Sequence, residues 1–224
     1  MGVGVVLLAA ALASTGAAQN SQPRTPVTPP PTARWEITPY VGVAVHSPAG
    51  PFLGITPDRN HLFLGVHANV NVVRRERWTF AYAPEVVPLL IVSDNPRLVR
   101  FTDETGSGLL PGDPGAVVGF AVSPIGAEAQ RRLGNRWRAF GAMAVGCVWF
   151  SREVPVPFSR SFNYTLEYGG GLLWRRGPRT SLRFGYKFHH LSNNYTAYQN
   201  PGLDAHVFLL GVSLNASPAQ ERIR

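Results

Sequence analysis

From Trp35 onward the chain alternates apolar residues with small or polar ones, and no stretch keeps a helical period. Between His61 and Val72 the even positions Leu62, Leu64, Val66, Ala68, Val70 and Val72 are apolar, while His61, Gly65, His67, Asn69 and Asn71 take odd ones, with Phe63 the exception. Between Phe162 and Trp174 the apolar set Phe162, Tyr164, Leu166, Tyr168, Leu172 and Trp174 alternates with Asn163, Thr165, Glu167, Gly169 and Gly171. A period of two sends neighbours to opposite faces of a strand, so each segment has one greasy face and one wet face. The pattern predicts eight strands, at about 35–46, 61–73, 78–93, 116–130, 137–151, 161–174, 181–193 and 204–214.

The connections between these strands alternate in length. Arg74 to Arg77, the segment around Gly134-Asn135, and Arg176 to Thr180 read as tight turns, whereas 47–60, 94–115, 152–160 and 194–203 are longer. Short turns at one end and long loops at the other predict an all-β fold: an eight-stranded antiparallel up-and-down barrel crossing the outer membrane, with its termini in the periplasm. A soluble lipocalin-like carrier would also alternate, with its greasy face inward. The tryptophans favour the membrane. Trp35, Trp78, Trp137 and Trp174 fall at the short-turn end and Trp149 near the other, as two interfacial girdles require. On the wet faces Glu85 and Glu167 oppose Arg183 and Lys187, charges expected to pair as a polar plug. Facing hydrocarbon, each basic group would cost roughly 2–4 kcal/mol. Pro39, Pro84 and Pro88 lie inside strands and are expected to mark bulges or bends, because each removes a ladder donor.

Composition sharpens this outline. The 224 residues suit one domain; 45% are hydrophobic and only 15% charged, so little surface needs hydrating. A net charge of +8 raises the question of nucleic acid, but the arginines gather at turns (74, 75, 77; 131, 132, 136, 138; 175, 176, 179) with no basic helix or stacking platform. Nucleic acid is therefore not an expected partner. One cysteine, Cys147, excludes an intramolecular disulfide. Residues 1–18 read as a signal peptide, with an apolar run from Val3 to Ala13 and small residues before cleavage after Ala18, though without Lys or Arg ahead of the run. A Pro-rich linker (19–34), the barrel (35–214) and a short tail (215–224) follow.

The seventh predicted strand carries the chemistry. Its even face reads Leu182, Phe184, Tyr186, Phe188, His190, Ser192, so a histidine and a serine extend the row that faces lipid. An imidazole two residues from a hydroxyl on one face can take its proton and make it a nucleophile. The base needs an orienting acid, and the nearest carboxylate on the next strand is Asp204, on the face of Phe208, Leu210, Val212 and Leu214. All three fall near the outer rim, where the available ester is an acyl linkage of lipid A. The inward His189 is expected in the lumen, and His206, on the face of Asp204, at the rim or girdle, with a spare base as the rival reading. Asp103 and Glu104, in the longest loop, are expected to be solvated, with a cation site as the rival reading.

The run His190-Leu191-Ser192-Asn193, followed by Asn200-Pro201-Gly202, resembles the C-terminal signature of the outer-membrane lipid A 3-O-deacylases, also called acyloxyacyl hydrolases. The resemblance implies an eight-stranded barrel that removes the ester-linked acyl chain at position 3 of lipid A within lipopolysaccharide, with no cofactor or metal. It implies Ser192 as nucleophile, His190 as general base and acid, Asp204 as the orienting acid, and Asn193 as an aid to the oxyanion, with backbone N–H groups near Ser192 or Gly202 as competing donors. The family pattern has Glu where this chain has Asp204. Rival functions are a non-catalytic envelope or adhesion barrel and the soluble carrier. Whether the barrel forms a homodimer is left open.

Overall fold

The computed structural model describes residues 35–48, 54–94, 98–103, 106–111 and 115–215. The chain divides into two units, Met1–Pro31 and Thr32–Arg224, and every described residue belongs to the second. The expected signal peptide, the linker up to residue 34 and the tail beyond Asn215 lie outside the described residues.

Those residues form eleven strands and no helix: β1 (Trp35–Ala44), β2 (Arg59–Arg74), β3 (Trp78–Tyr82), β4 (Glu85–Asp94), β5 (Leu98–Asp103), β6 (Gly106–Pro111), β7 (Ala116–Arg132), β8 (Trp137–Val154), β9 (Arg160–Arg175), β10 (Thr180–Ser192) and β11 (Leu203–Asn215). β3 and β4 are halves of one stave, since both pair with β2 on one side and β7 on the other. Eight staves therefore run around the ring, and β1 closes it by pairing with both β2 and β11. All pairings are antiparallel, and closure leaves no stave with an open edge. The loop expected across 94–115 contains a hairpin of its own, β5 with β6, from Leu98↔Pro111 to Asp103↔Gly106. The side chains of Asp103 and Glu104 lie outside the described residues.

The barrel is inside-out. In β1, outward Trp35, Ile37, Val41 and Val43 are 36–47% exposed, while inward Glu36, Thr38, Tyr40 and Ala44 are at most 6% exposed. A soluble carrier turns its greasy face the other way, so this pattern decides for a hydrocarbon surround. At the short-turn end Trp137 and Trp174 stack with centroids 5.7 Å apart, and the Arg176 guanidinium lies 4.4 Å from the Trp174 ring centre. At the opposite end Trp149 packs against Phe120 and Phe162.

The lumen is filled in two layers. Lys187 Nζ reaches Glu85 Oε1 at 2.6 Å and both Glu167 oxygens at 3.1 Å, and Arg183 reaches Glu128 Oε2 at 2.5 Å. The four charges expected to plug the lumen do so, joined by Glu128, by His67 and by Tyr40, whose hydroxyl donates to Glu85 at 2.6 Å. Above them, towards the long loops, Phe63, Leu90, Val92, Val148, Leu191, Leu203 and Val207 form an apolar layer. Phe63 interrupts the wet face of β2 because its ring belongs to this layer.

The prolines divide. Pro84 falls in the break between β3 and β4, and the β4–β7 register shifts across Pro88. Pro39 makes neither bulge nor bend: it keeps an unbroken register with β2 opposite Val66, and residues on either side hold one register with β11. That expectation is corrected, and the physical reason is that a stave tolerates one missing donor when its register is fixed on both sides.

Candidate active site

β10 ends at the long-loop side of the barrel, and its parity is set from within. Lys187, His189 and Leu191 are buried inward, which leaves His190 and Ser192 on the outer face. β11 returns beside it with Leu203, Ala205 and Val207 fully buried, and the register places His190 directly opposite Asp204.

That pairing makes the central contact. His190 Nδ1 and Asp204 Oδ1 are 2.6 Å apart, with side chains 14% and 6% exposed. A carboxylate accepts only, so Nδ1 carries the proton and Nε2 is the free basic nitrogen. The other carboxylate oxygen, Oδ2, accepts from the backbone N–H of Gly54 at 2.9 Å. The loop that delivers Gly54 is tied to the chain just before β11: Ile55 N–H donates to Pro201 O at 2.9 Å and Thr56 Oγ1 to Gly202 O at 2.7 Å.

Ser192 lies two residues beyond His190 on the same face, opposite Tyr164 of β9. Its hydroxyl donates to Asn200 Oδ1 at 3.2 Å rather than to His190, and it accepts from Asn194 N–H at 3.0 Å. Asn200 Oδ1 also accepts from Asn193 N–H at 3.0 Å, which fixes the carboxamide with its oxygen towards the serine. The Asn193 side chain faces the other way: it is buried, and its Nδ2 donates to Gln199 O at 2.7 Å. After Ser192 the chain reverses through left-handed Asn194 and Tyr195, at φ 53° and 57°. Gly202, at φ 63°, supplies the left-handed step where β11 begins, as the Asn-Pro-Gly sequence leads one to expect.

The structure thus joins His190 to Asp204, places Ser192 beside them on the same face, and directs the Asn193 side chain elsewhere. Two contributors escaped the sequence reading. Asn200 sits in the turn motif that was singled out, eight residues from Ser192, so its capacity as a polar partner was available. Gly54 left no signal, since what it offers is a backbone N–H. The expected lumen histidine, His189, bonds Glu167 Oε1 through Nδ1 at 2.6 Å, and His206 stands on the outer face with Nδ1 2.6 Å from the Tyr186 hydroxyl.

An eight-stave barrel with an apolar outer belt, a closed lumen and a polar cluster on its outer wall is an integral barrel of the bacterial outer membrane. The family model for lipid A 3-O-deacylase (PagL) matches residues 94–213, which include His190, Ser192 and Asp204, and the chain belongs to that family. Among solved structures, the outer membrane enzyme PagL superposes with a TM-score of 0.54 at 12% identity, covering 81% of this chain and 99% of that one. Neisserial surface protein A gives 0.49 at 14% identity, covering 83% and 99%. No curated protein matches the sequence.

Proposed function

We propose that this chain hydrolyses the ester holding the acyl chain at position 3 of lipid A, in the outer leaflet, through Ser192, His190 and Asp204. The observation that carries the reading is the 2.6 Å His190–Asp204 bond on the outer wall, with Ser192 two residues along the same strand face. In the resting state the serine hydroxyl is turned to Asn200. Substrate binding turns it to His190 Nε2; catalytic hydrogen bonds commonly tighten only when substrate is present. Ser192 Oγ then attacks the acyl carbonyl carbon as its proton passes to Nε2, and Asp204 stabilises the imidazolium. Collapse of the tetrahedral adduct breaks the bond to the sugar oxygen, which leaves with the proton from His190. Water, deprotonated by the same nitrogen, releases the fatty acid and restores the serine.

The oxyanion falls among the donors around Ser192 Oγ. Asn194 N–H, which already donates to that atom at 3.0 Å, is the donor best placed for it. Asn193 contributes by holding Asn200 and Gln199 in place. The long-loop end faces the cell exterior, so substrate arrives sideways through the leaflet without crossing the lumen.

The test is mass spectrometry of lipid A from cells carrying the wild type or Ser192→Ala, with equal barrel in the membrane. Wild-type cells should yield lipid A lacking one hydroxyacyl chain, and the variant should not. Identical spectra would leave a non-catalytic envelope barrel as the better description.

A further inference from the structure

Gly54 stands far from the proposed triad in sequence and touches its acid directly. Three observations converge there. Its N–H donates to Asp204 Oδ2 at 2.9 Å, so both carboxylate oxygens are engaged, one by His190 and one by Gly54. A Cβ on Gly54 would lie 2.8 Å from Asp204 Oδ1 and 2.8 Å from its backbone nitrogen, closer than real Cβ contacts come, so the position leaves no room for a side chain. Its backbone is not left-handed, so conformational freedom does not account for the glycine. What does is the approach of the first long loop to the acid, held by the Ile55–Pro201 and Thr56–Gly202 bonds just before β11 begins.

We propose that Gly54 is a positioning residue for Asp204, and that it lets an aspartate serve where the family pattern carries glutamate. A strand aspartate has one fewer methylene with which to reach the imidazole. Direct cross-strand pairing with His190 brings the backbones close, and the Gly54 N–H fixes the short carboxylate's rotation so that Oδ1 points at Nδ1. The first loop thereby becomes part of the site, although it contributes no side chain to the chemistry. This inference rests on the Ser192–His190–Asp204 reading, and the experiment separates the two.

The experiment compares purified, folded wild type with Ser192→Ala, Gly54→Ala and Thr56→Val in detergent micelles on lipid A, together with the proton spectrum of histidine-labelled protein. A short imidazole–carboxylate bond places the Nδ1 proton far downfield, and because His189 and His190 both make one, the His190 signal is assigned as the resonance lost in His190→Gln and kept in His189→Gln. The Ser192→Ala enzyme should be inactive with that resonance intact. In Gly54→Ala the carboxylate must move, so kcat should fall about 10- to 100-fold with little change in KM, and the downfield resonance should move upfield or vanish. Thr56→Val loosens the loop without touching Asp204 and should shift both readouts the same way by a smaller factor. Should Gly54→Ala not fold, Thr56→Val decides. Wild-type kcat and an unmoved resonance in whichever variant folds would overturn the role of Gly54. Full activity in Ser192→Ala would instead overturn the triad.

Discussion

Two neighbouring histidines on β10 make nearly the same bond and have different fates. His189 points into the lumen, with Nδ1 2.6 Å from Glu167 of β9; His190 points out, with Nδ1 2.6 Å from Asp204 of β11. A histidine–carboxylate pair is therefore not in itself a site. The inner pair is sealed: His189 is 1% exposed, Phe63 meets it edge-on at 5.1 Å, and Glu167 is shared with Lys187. The outer pair has a hydroxyl two residues along its own face, a serviced carboxylate and an open side to the lipid. On the reading proposed above, access and a neighbouring hydroxyl fit one copy of the motif for chemistry, and their lack leaves the other as structure.

The comparison is most sharply broken at the serine. Ser192→Ala should lower deacylation roughly a thousandfold or more while leaving the barrel's thermal unfolding unchanged, read from release of hydroxy fatty acid by folded protein. His190→Gln should match it, since the two act as a unit; an additive loss in the double variant would show that they do not. Asp204→Asn keeps the shape but removes the charge, and an expected loss of about a hundredfold or more distinguishes an orienting acid from a bystander. The inner pair should behave oppositely. His189→Gln removes a buried charge-assisted bond, so it should cost about 1–3 kcal/mol in denaturant unfolding with kcat within a few-fold of wild type. Smallest is the girdle: Trp174→Ala loses its stack on Trp137 and should cost about 0.5–1.5 kcal/mol, with no effect on turnover.

How far these features could be read in advance depends on whether they obey a local rule. Stave positions, the outward row of β10 and the facing of His190 and Asp204 follow from a period of two, which needs no tertiary knowledge. Glu128 was missed because the rule breaks inside β7. Before Pro124 the odd positions Val117, Gly119, Ala121 and Ser123 are buried, and beyond it the even Glu128 and Gln130 are; the β7–β8 register shifts between Val122 and Ile125. A one-residue bulge exchanges the faces, and alternation alone does not locate it. The β5–β6 hairpin was hidden for another reason, since it forms a separate two-stranded sheet inside what reads as one long connection. Gly54 and Asn200 act through a backbone N–H and a turn carboxamide brought in from loops, contacts that exist only once the ring has closed. The resemblance rested on the last quarter of the chain, whereas the family match begins at Asp94.

The buried ion cluster around Lys187 and Glu85 has a bearing on the cell as a whole. An outer envelope works as a barrier only if its proteins admit no uncontrolled flow of small solutes. Among the described residues, guanidinium, ammonium and carboxylate groups locked to one another, under a layer of packed aliphatic and aromatic side chains, obstruct the lumen of this ring. Copies of such a barrel can then crowd the surface with little electrical or osmotic leakage through their lumens.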